Sequence, residues 1–154
     1  VDEKSILEGN KFTKNLSESI KENIILISAE IESQISSLSS ADQAEYLESL
    51  GLKQSGLNKI IKSGYQTLSL ITYFTSGEQE TRAWTVTSGS KAPDAAGKIH
   101  SDFQSGFIRA ETISYDDFIE CDGEIKAKEL GKMRSEGKEY VVQDGDVMHF
   151  LFNN

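Results

Sequence analysis

Apolar residues are spaced in two different ways along the chain, and the change comes near residue 70. In residues 10–22, Phe12, Leu16 and Ile20 recur at spacing four, which predicts an amphipathic helix. Ile24, Ile25, Leu26 and Ile27 then form a continuous aliphatic run too short for a helix. Such a run predicts a strand buried on both faces, as in a parallel α/β sheet. Ser40-Ala41-Asp42-Gln43 has the S-x-x-Q form of a capping box, Tyr46, Leu47 and Leu50 supply the apolar face behind it, and Gly51 stands where a left-handed cap is wanted. Leu57, Ile60, Ile61, Tyr65 and Leu68 continue at helical spacing and predict a further helix running to a junction near Leu70.

Beyond that junction the period shortens. Residues 71–75 and 81–87 are rich in Thr, aromatic and β-branched side chains, and Ser76-Gly77-Glu78 between them is turn material, so a hairpin is predicted. The one proline, Pro93, suits the first turn of a helix whose buried side is Ala95, Ala96, Ile99 and Phe103. Residues 107–114 read as a strand, Ser114-Tyr115-Asp116-Asp117 as a helix start, and residues 124–130 as a short helix. Residues 140–142 and 147–152 read as strands around Asp144-Gly145-Asp146. The order is ββαβ, a little helix, then ββ, a small mixed sheet gripping one helix, which is the β-grasp arrangement. The fold expected is an α/β portion over residues 1–70 followed by an α+β β-grasp domain over residues 71–154.

Composition narrows the function. The 154 residues, 37% hydrophobic, suffice for a core. Lys and Arg number 16 against 25 acids, a formal charge of −9, so the overall field repels nucleic acid and acidic membranes. Any RNA contact must use a local patch. No apolar stretch approaches the roughly 18 residues of a membrane span, and Val1 is followed by Asp2, Glu3 and Lys4, unlike a signal peptide. Cytoplasm is the expected location. Cys121 stands alone, which excludes an internal disulfide or an all-Cys zinc site and fits a reducing compartment. The chain starts without Met inside a charged, helix-prone run, and so reads as a piece of a longer protein, processing of a precursor being the alternative.

The motifs that carry chemistry are mostly missing. Gly97-Lys98 is followed by Ile99 and preceded five residues back by Ala92, so the P-loop pattern fails. His100 and His149 have no zinc spacing and read as structural or solvated. Aligning Gly123 with the glycine of a calcium loop puts Phe118 at the first ligand position, so the Asp-rich segments read as turns and caps. Cys121 has no His nearby and reads as a packed or surface thiol. Tyr73, Phe74, Trp84, Phe150 and Phe152 could stack bases, though their alternation favours core packing. Arg82, Lys91, Lys98 and Arg109 scatter over the surface. Lys126, Lys128, Lys132, Arg134 and Lys138 cluster in a Gly-containing stretch and are the candidate RNA or ribosome contact.

Several long stretches carry a resemblance: Ser55-Gly56-Leu57, Thr72-Tyr73-Phe74-Thr75, Arg82-Ala83-Trp84-Thr85, Ala92-Pro93-Asp94-Ala95-Ala96-Gly97-Lys98-Ile99-His100-Ser101-Asp102-Phe103, Gly106-Phe107-Ile108-Arg109-Ala110-Glu111, and Val142-Gln143-Asp144-Gly145-Asp146-Val147-Met148-His149-Phe150. From Gly56 onward the sequence resembles the C-terminal region of the YchF-type P-loop ATPases, a branch of the Obg-related translation-factor NTPases. The resemblance implies that residues 71–154 are the TGS domain, a β-grasp module, and that residues 1–70 are the end of a G domain. Val1-Asp2-Glu3 resembles the end of an N-x-x-E base-recognition loop, and Ser28-Ala29-Glu30 the S-A loop after the last strand. It implies that Val1, Glu3, Ser28 and Ala29 bind the nucleotide base, through the backbone of Val1 and the amide of Ala29. The family associates Glu at the position of Glu3 with ATP use, where guanine-specific relatives carry Asp. Loops at the carboxyl ends of parallel strands are where α/β sheets bind ligands.

The P-loop, the metal ligands, the hydrophobic substitute for the usual catalytic Gln and the coiled-coil insertion of that family are not among these residues. Phosphoryl transfer needs them. ATP or GTP and Mg²⁺ are therefore expected in the parent protein and none in this fragment, which should be inactive alone. The resemblance implies ribosome or RNA as partner; no membrane is expected. Two other readings stay open. One is a free-standing β-grasp module that binds RNA or protein without nucleotide, discriminated by whether residues 24–27 find parallel partners within this chain. An orphaned strand edge there could also drive dimerisation. The other is a small enzyme using Cys121 or His100.

Overall fold

Local capping decides where the helices of the amino-terminal residues begin. The computed structural model describes residues 1–20, 24–77 and 79–153, and Val1–Gln66 and Thr67–Asn154 form separate units. The first unit holds α1 (Ser5–Glu8), α2 (Lys11–Ser19), α3 (Ala29–Ser36), α4 (Ser40–Ser49) and α5 (Gly56–Thr67). Asn10 opens α2, its Oδ1 accepting from the amides of Phe12 at 3.0 Å and Thr13 at 3.1 Å, while Thr13 Oγ1 accepts from Asn10 N at 2.7 Å. The helix ends at Ser19, earlier than its periodicity suggests, and Glu22 lies outside the described residues.

The N-cap of α4 lies one residue earlier than the S-x-x-Q pattern. Ser39 is the cap, donating to Asp42 Oδ2 at 2.6 Å and accepting from Asp42 N at 3.4 Å. Gln43 turns away and donates to the carbonyls of Ile35 and Leu38, both at 3.1 Å, where α3 ends. Carbonyls at a helix C-terminus lack intrahelical donors, so this amide is better used there than in its own box. Gly51 follows α4 in the left-handed region, as expected, with φ +69°.

The strand expected at residues 24–27 does not form. Among the described residues, the run receives one backbone bond, from the Val1 amine to Ile27 O at 2.7 Å. A strand needs a neighbour along its length, and the described residues place none there. The core of the first unit is correspondingly small: Ile31, Ile35 and Leu52, with Ile6, Tyr46, Leu47 and Leu50 packed on them. The stripes expected to be buried on α2 and α5 are open, with Phe12 80%, Leu57 58% and Ile61 50% exposed.

The second unit contains β1 (Leu70–Ser76), β2 (Thr81–Thr87), α6 (Ala92–Ile99), α7 (Ser101–Ser105), β3 (Phe107–Ile113), α8 (Tyr115–Glu120), α9 (Glu124–Glu129), β4 (Arg134–Glu136) and β5 (Val147–Phe152). The sheet runs β2-β1-β5-β3-β4, with β1 and β5 parallel and the other pairs antiparallel. The hairpin forms as expected, Tyr73 opposite Trp84; Gly77 N donates to Glu80 O at 3.0 Å, and Glu78 of the expected turn lies outside the described residues. Residues 140–142 do not form the strand their pattern suggests. They bond instead to the segment before α6, through Ala92 N to Tyr140 O at 2.9 Å and Val142 N to Ser90 O at 3.0 Å. β4 was not visible in the pattern, because Arg-Ser-Glu on a sheet edge carries no apolar alternation.

Alanines of α6 let the helix approach the sheet closely. Ala92, Ala95 and Ala96 are fully buried against Tyr73, Ala110 and Met148. The Tyr73 hydroxyl donates to Ala95 O at 2.7 Å, and burial pushes its pKa well up. A second, smaller cluster of Ile113, Cys121 and Ala127 forms with Phe118 and Met133.

Gly106 closes the unit, accepting at its carbonyl from Asn153 N at 2.9 Å; a Cβ here would collide with the Asn153 carbonyl oxygen. Gly106→Ala is expected to lower urea stability by about 1–3 kcal/mol, since the clash is with backbone. Gly64→Ala, inside α5 with open space around it, is expected to raise stability by about 0.5–1 kcal/mol. Urea denaturation of both variants gives shifts of opposite sign if these packing assignments hold.

Candidate functional site

The residues expected around a nucleotide base come from two places in the sequence and meet at the entry to α3. The Val1 amine bonds to Ile27 O, immediately before Ser28, so the chain end lies beside the turn into the helix. Ser28 is buried, caps α3 from extended backbone, and accepts at its hydroxyl from Ile31 N at 3.5 Å. Ala29 is exposed, and its amide finds no acceptor among the described residues. That amide belongs to the first turn of a helix, where backbone N–H groups have no intrahelical partner and carry positive partial charge.

Glu3 sits in the turn before α1, exposed, with no side-chain partner among the described residues. Its neighbour Asp2 is the acid already in use. Asp2 Oδ1 accepts from Ser5 N at 2.8 Å, and hydrogen bonding from Ser5 holds its carboxyl below the usual value. Val1, Ser28 and Ala29 thus gather at one end of the first unit, with Glu3 two residues away along the chain. An amide at a helix start with no acceptor among the described residues can donate to the edge of a planar ring.

Sequence reasoning missed the support of this turn. Glu32, half-buried in α3, accepts from Gly56 N at 2.7 Å and Leu57 N at 3.2 Å, capping α5 from a distant part of the chain. The signal was Ser55-Gly56-Leu57, a stretch with an evident resemblance but no evident role.

The five clustered cations are spread over α9, β4 and the loops between and after them, and three are already paired. Lys126 holds Asp122 at 2.9 Å and Lys132 holds Asp117 at 2.9 Å. Arg134 reaches Asp146 at 3.4 Å, Glu136 at 3.5 Å and the Tyr140 hydroxyl at 3.2 Å. Lys128 and Lys138 are exposed and have no ion pair among the described residues. Asp146 is the centre of a buried network, accepting also from Tyr140 Oη at 2.7 Å and Gln143 N at 2.8 Å. Burial, with Asp146 adding to it, pushes the Tyr140 hydroxyl up to about 12. Removing one partner of such a network strands a buried charge, so Arg134 serves the fold first.

The other candidates have structural uses. His100 Nδ1 accepts from Asp102 N at 3.2 Å as the cap of α7, and the Cys121 thiol is buried. Tyr73 and Phe150 pack edge to face in the core, and Phe103 stacks on Phe152 with centroids 3.9 Å apart. Trp84 lies under Arg82 and donates to Thr75 Oγ1 at 2.9 Å. Among the described residues no group of three or more His, Cys, Asp or Glu could hold a metal ion, and no helix is long and apolar enough to cross a membrane.

Comparison with known proteins adds the following. Residues 70–153 match the family model YchF-GTPase_C, described as a protein of unknown function (DUF933). A ribosome-binding ATPase YchF of Bacillus subtilis (strain 168) is 57% identical over 130 residues, covering 84% of this chain and 36% of the relative. The protein of the same name from Escherichia coli O157:H7 is 55% identical over 130 residues, with the same coverage. The chain spans about a third of the length of these curated relatives. The solved structure of the Schizosaccharomyces pombe YchF GTPase matches with a TM-score of 0.80 at 36% identity, over 95% of this chain and 40% of that one.

A pH dependence follows from Asp117. The Ser114 hydroxyl, at 2.6 Å, and then Lys132 hold its carboxyl below the ordinary 3.8. A depressed carboxylate contributes stability that is fully present above its unfolded pKa and is lost as pH falls through the lower folded value. Asp117→Asn is therefore expected to flatten the acid limb of stability below about pH 4, where the unfolded carboxyl takes up its proton. Urea midpoints of wild type and variant between pH 6 and pH 2 check this, and parallel limbs would refute it.

Proposed function

The chain belongs to the YchF family, and from that membership we propose that it is the carboxyl-terminal part of a ribosome-binding, cytoplasmic ATPase that uses GTP less readily. Residues 1–70 are the last part of its nucleotide-binding G domain and residues 71–154 its TGS domain, a β-grasp module with a binding or regulatory role. The sheet order β2-β1-β5-β3-β4, with parallel β1 and β5 at its centre and α6 packed on one face, supports the β-grasp assignment.

One observation carries the G-domain assignment. Residues 24–27 have a strand's composition, yet among the described residues their backbone is bonded only by the Val1 amine, at Ile27. The part of the longer relatives that lies outside the match would give this run the parallel neighbour it lacks. The open apolar stripes of α2 and α5 support the same reading, since burying side chains such as Phe12 or Ile61 is worth about 1.5–3 kcal/mol each. In this reading Val1, Glu3, Ser28 and Ala29 hold the base and set its identity. Among the described residues no group of three or more His, Cys, Asp or Glu could hold a metal ion, and no step of phosphoryl transfer is assigned to them.

A free-standing β-grasp module that binds RNA or protein without nucleotide is the second reading. It is favoured by the second unit's possession of its own sheet and core.

Two experiments decide between them. The chain alone is expected to show no saturable, Mg²⁺-dependent binding of fluorescent ATP. Joined to the part of the Bacillus subtilis relative that lies outside the match, it is expected to bind and hydrolyse ATP, and Glu3→Asp in that joined protein should shift preference toward GTP. A joined, folded protein with no nucleotide binding would favour the free-standing module. For the ribosome, Lys128→Glu with Lys138→Glu is expected to weaken co-sedimentation several-fold at low salt while leaving the melting temperature in place, because among the described residues these two cations hold no ion pair. Unchanged co-sedimentation would remove the clustered cations from the ribosome contact.

A further inference from the structure

Gly56, the first residue of α5, seats both flanks of the turn at Ser28 and Ala29. On one flank is Ile27: a Cβ at position 56 would lie 2.9 Å from its Cγ2 and 3.2 Å from its Cγ1. On the other, one helical turn into α3, is Glu32, whose two oxygens accept from Gly56 N and Leu57 N. The same added Cβ would stand 2.8 Å from Glu32 Oε1. Only glycine lets the backbone of α5 come this close.

The bonds are of the strong kind. A carboxylate facing the N-terminus of a helix meets unpaired N–H groups and positive partial charge together. The turn's own cap is weak by comparison, since Ser28 Oγ stands 3.5 Å from Ile31 N. The grip of α5 on Ile27 and Glu32 therefore adds to the Val1 amine on Ile27 O and the bond from Glu32 N to Ser28 O in holding the turn. Moving Ala29 means breaking two charge-assisted bonds or lifting Ile27 off the Gly56 backbone.

We propose that Glu32 is a positioning residue for nucleotide recognition: through Gly56 and Leu57 it fixes the turn whose Ala29 amide meets the base, without touching the nucleotide itself. This rests on the base-binding reading of Val1, Glu3, Ser28 and Ala29. It predicts that the base, and not the phosphates, senses Glu32.

The test has two parts. In the isolated chain, Glu32→Gln should remove hydrogen-exchange protection at the Gly56 and Leu57 amides and displace the Ala29 amide resonance. Gln43→Ala, which frees the carbonyls at the far end of α3, should destabilise the unit and leave the Ala29 resonance in place. An Ala29 resonance unmoved by Glu32→Gln overturns the proposal.

In the joined protein, Glu32→Gln and Gly56→Ala should each weaken ATP about tenfold, the scale of one lost charge-assisted bond, and narrow the ATP to GTP ratio. Binding of inorganic tripolyphosphate, which has no base, should not change. Equal loss of ATP and tripolyphosphate would mean general damage and sink the positioning role. A wild-type joined protein that binds tripolyphosphate as well as ATP would instead remove the base-binding reading, and this proposal with it.

Discussion

Every buried backbone N–H and C=O must find a partner, and the two units meet that constraint in opposite ways. The second unit closes its sheet internally. Along the seam of β1 with β5, Phe74 N donates to Asp146 O and Gly145 N to Thr72 O, both at 2.8 Å, while Thr72 N is taken by the Asp144 side chain at 2.8 Å. Two turn aspartates thereby join the start of the unit to its end. The rest follows from that seam: β3 can pair with β5 only once β5 is in place, and α6 covers the face the seam creates. The first unit leaves residues 24–27 with one backbone bond among the described residues, and its helices carry apolar stripes facing outward.

The same contrast appears in the electrostatics. In a chain of charge −9, five cations between Lys126 and Lys138 look like a patch aimed at an anion. The fold spends three of them on neighbouring acids, and Arg134 is committed to a buried aspartate. For Arg134 the bond to Asp146 outcompetes a solvent-exposed role, because a buried acid left alone is costly, whereas the Lys126 and Lys132 pairs lie in solvent and hold less tightly. Only Lys128 and Lys138 keep their charge unspent among the described residues of that cluster. A cluster in sequence is thus a count of charges, and the number available to a partner is smaller.

Glu32 shows how a small helical unit can hold a loop in place with little core. Its carboxylate adds to the local Ser55 cap of α5 a grip from 24 residues away, where α2, α3 and α4 have only an adjacent Asn or Ser. A local cap fixes one helix; a remote cap fixes two helices to each other and orders what lies between them. Here that is the turn at Ser28 and Ala29.

Features decided within a few residues were legible in the sequence. The hairpin of β1 and β2, the Pro93 start of α6, the left-handed Gly51 and the helix-start at Ser114 depend on backbone preferences and neighbouring caps, and each appears where the residues suggested. The long shared stretches were equally legible as a family signature. The cap of α4 lies one residue earlier because two adjacent serines could each serve, and Gln43 has a better use on α3. Tertiary structure alone decided that Arg-Ser-Glu becomes an edge strand, that residues 140–142 leave the sheet, that residues 24–27 stay unpaired, and that Glu32 grips Gly56. The physical reason is reach: a cap or turn is chosen by atoms three or four residues apart, whereas the pairing of β4 and the remote contacts join groups 22 to 72 residues apart, and those meet only once the chain has folded.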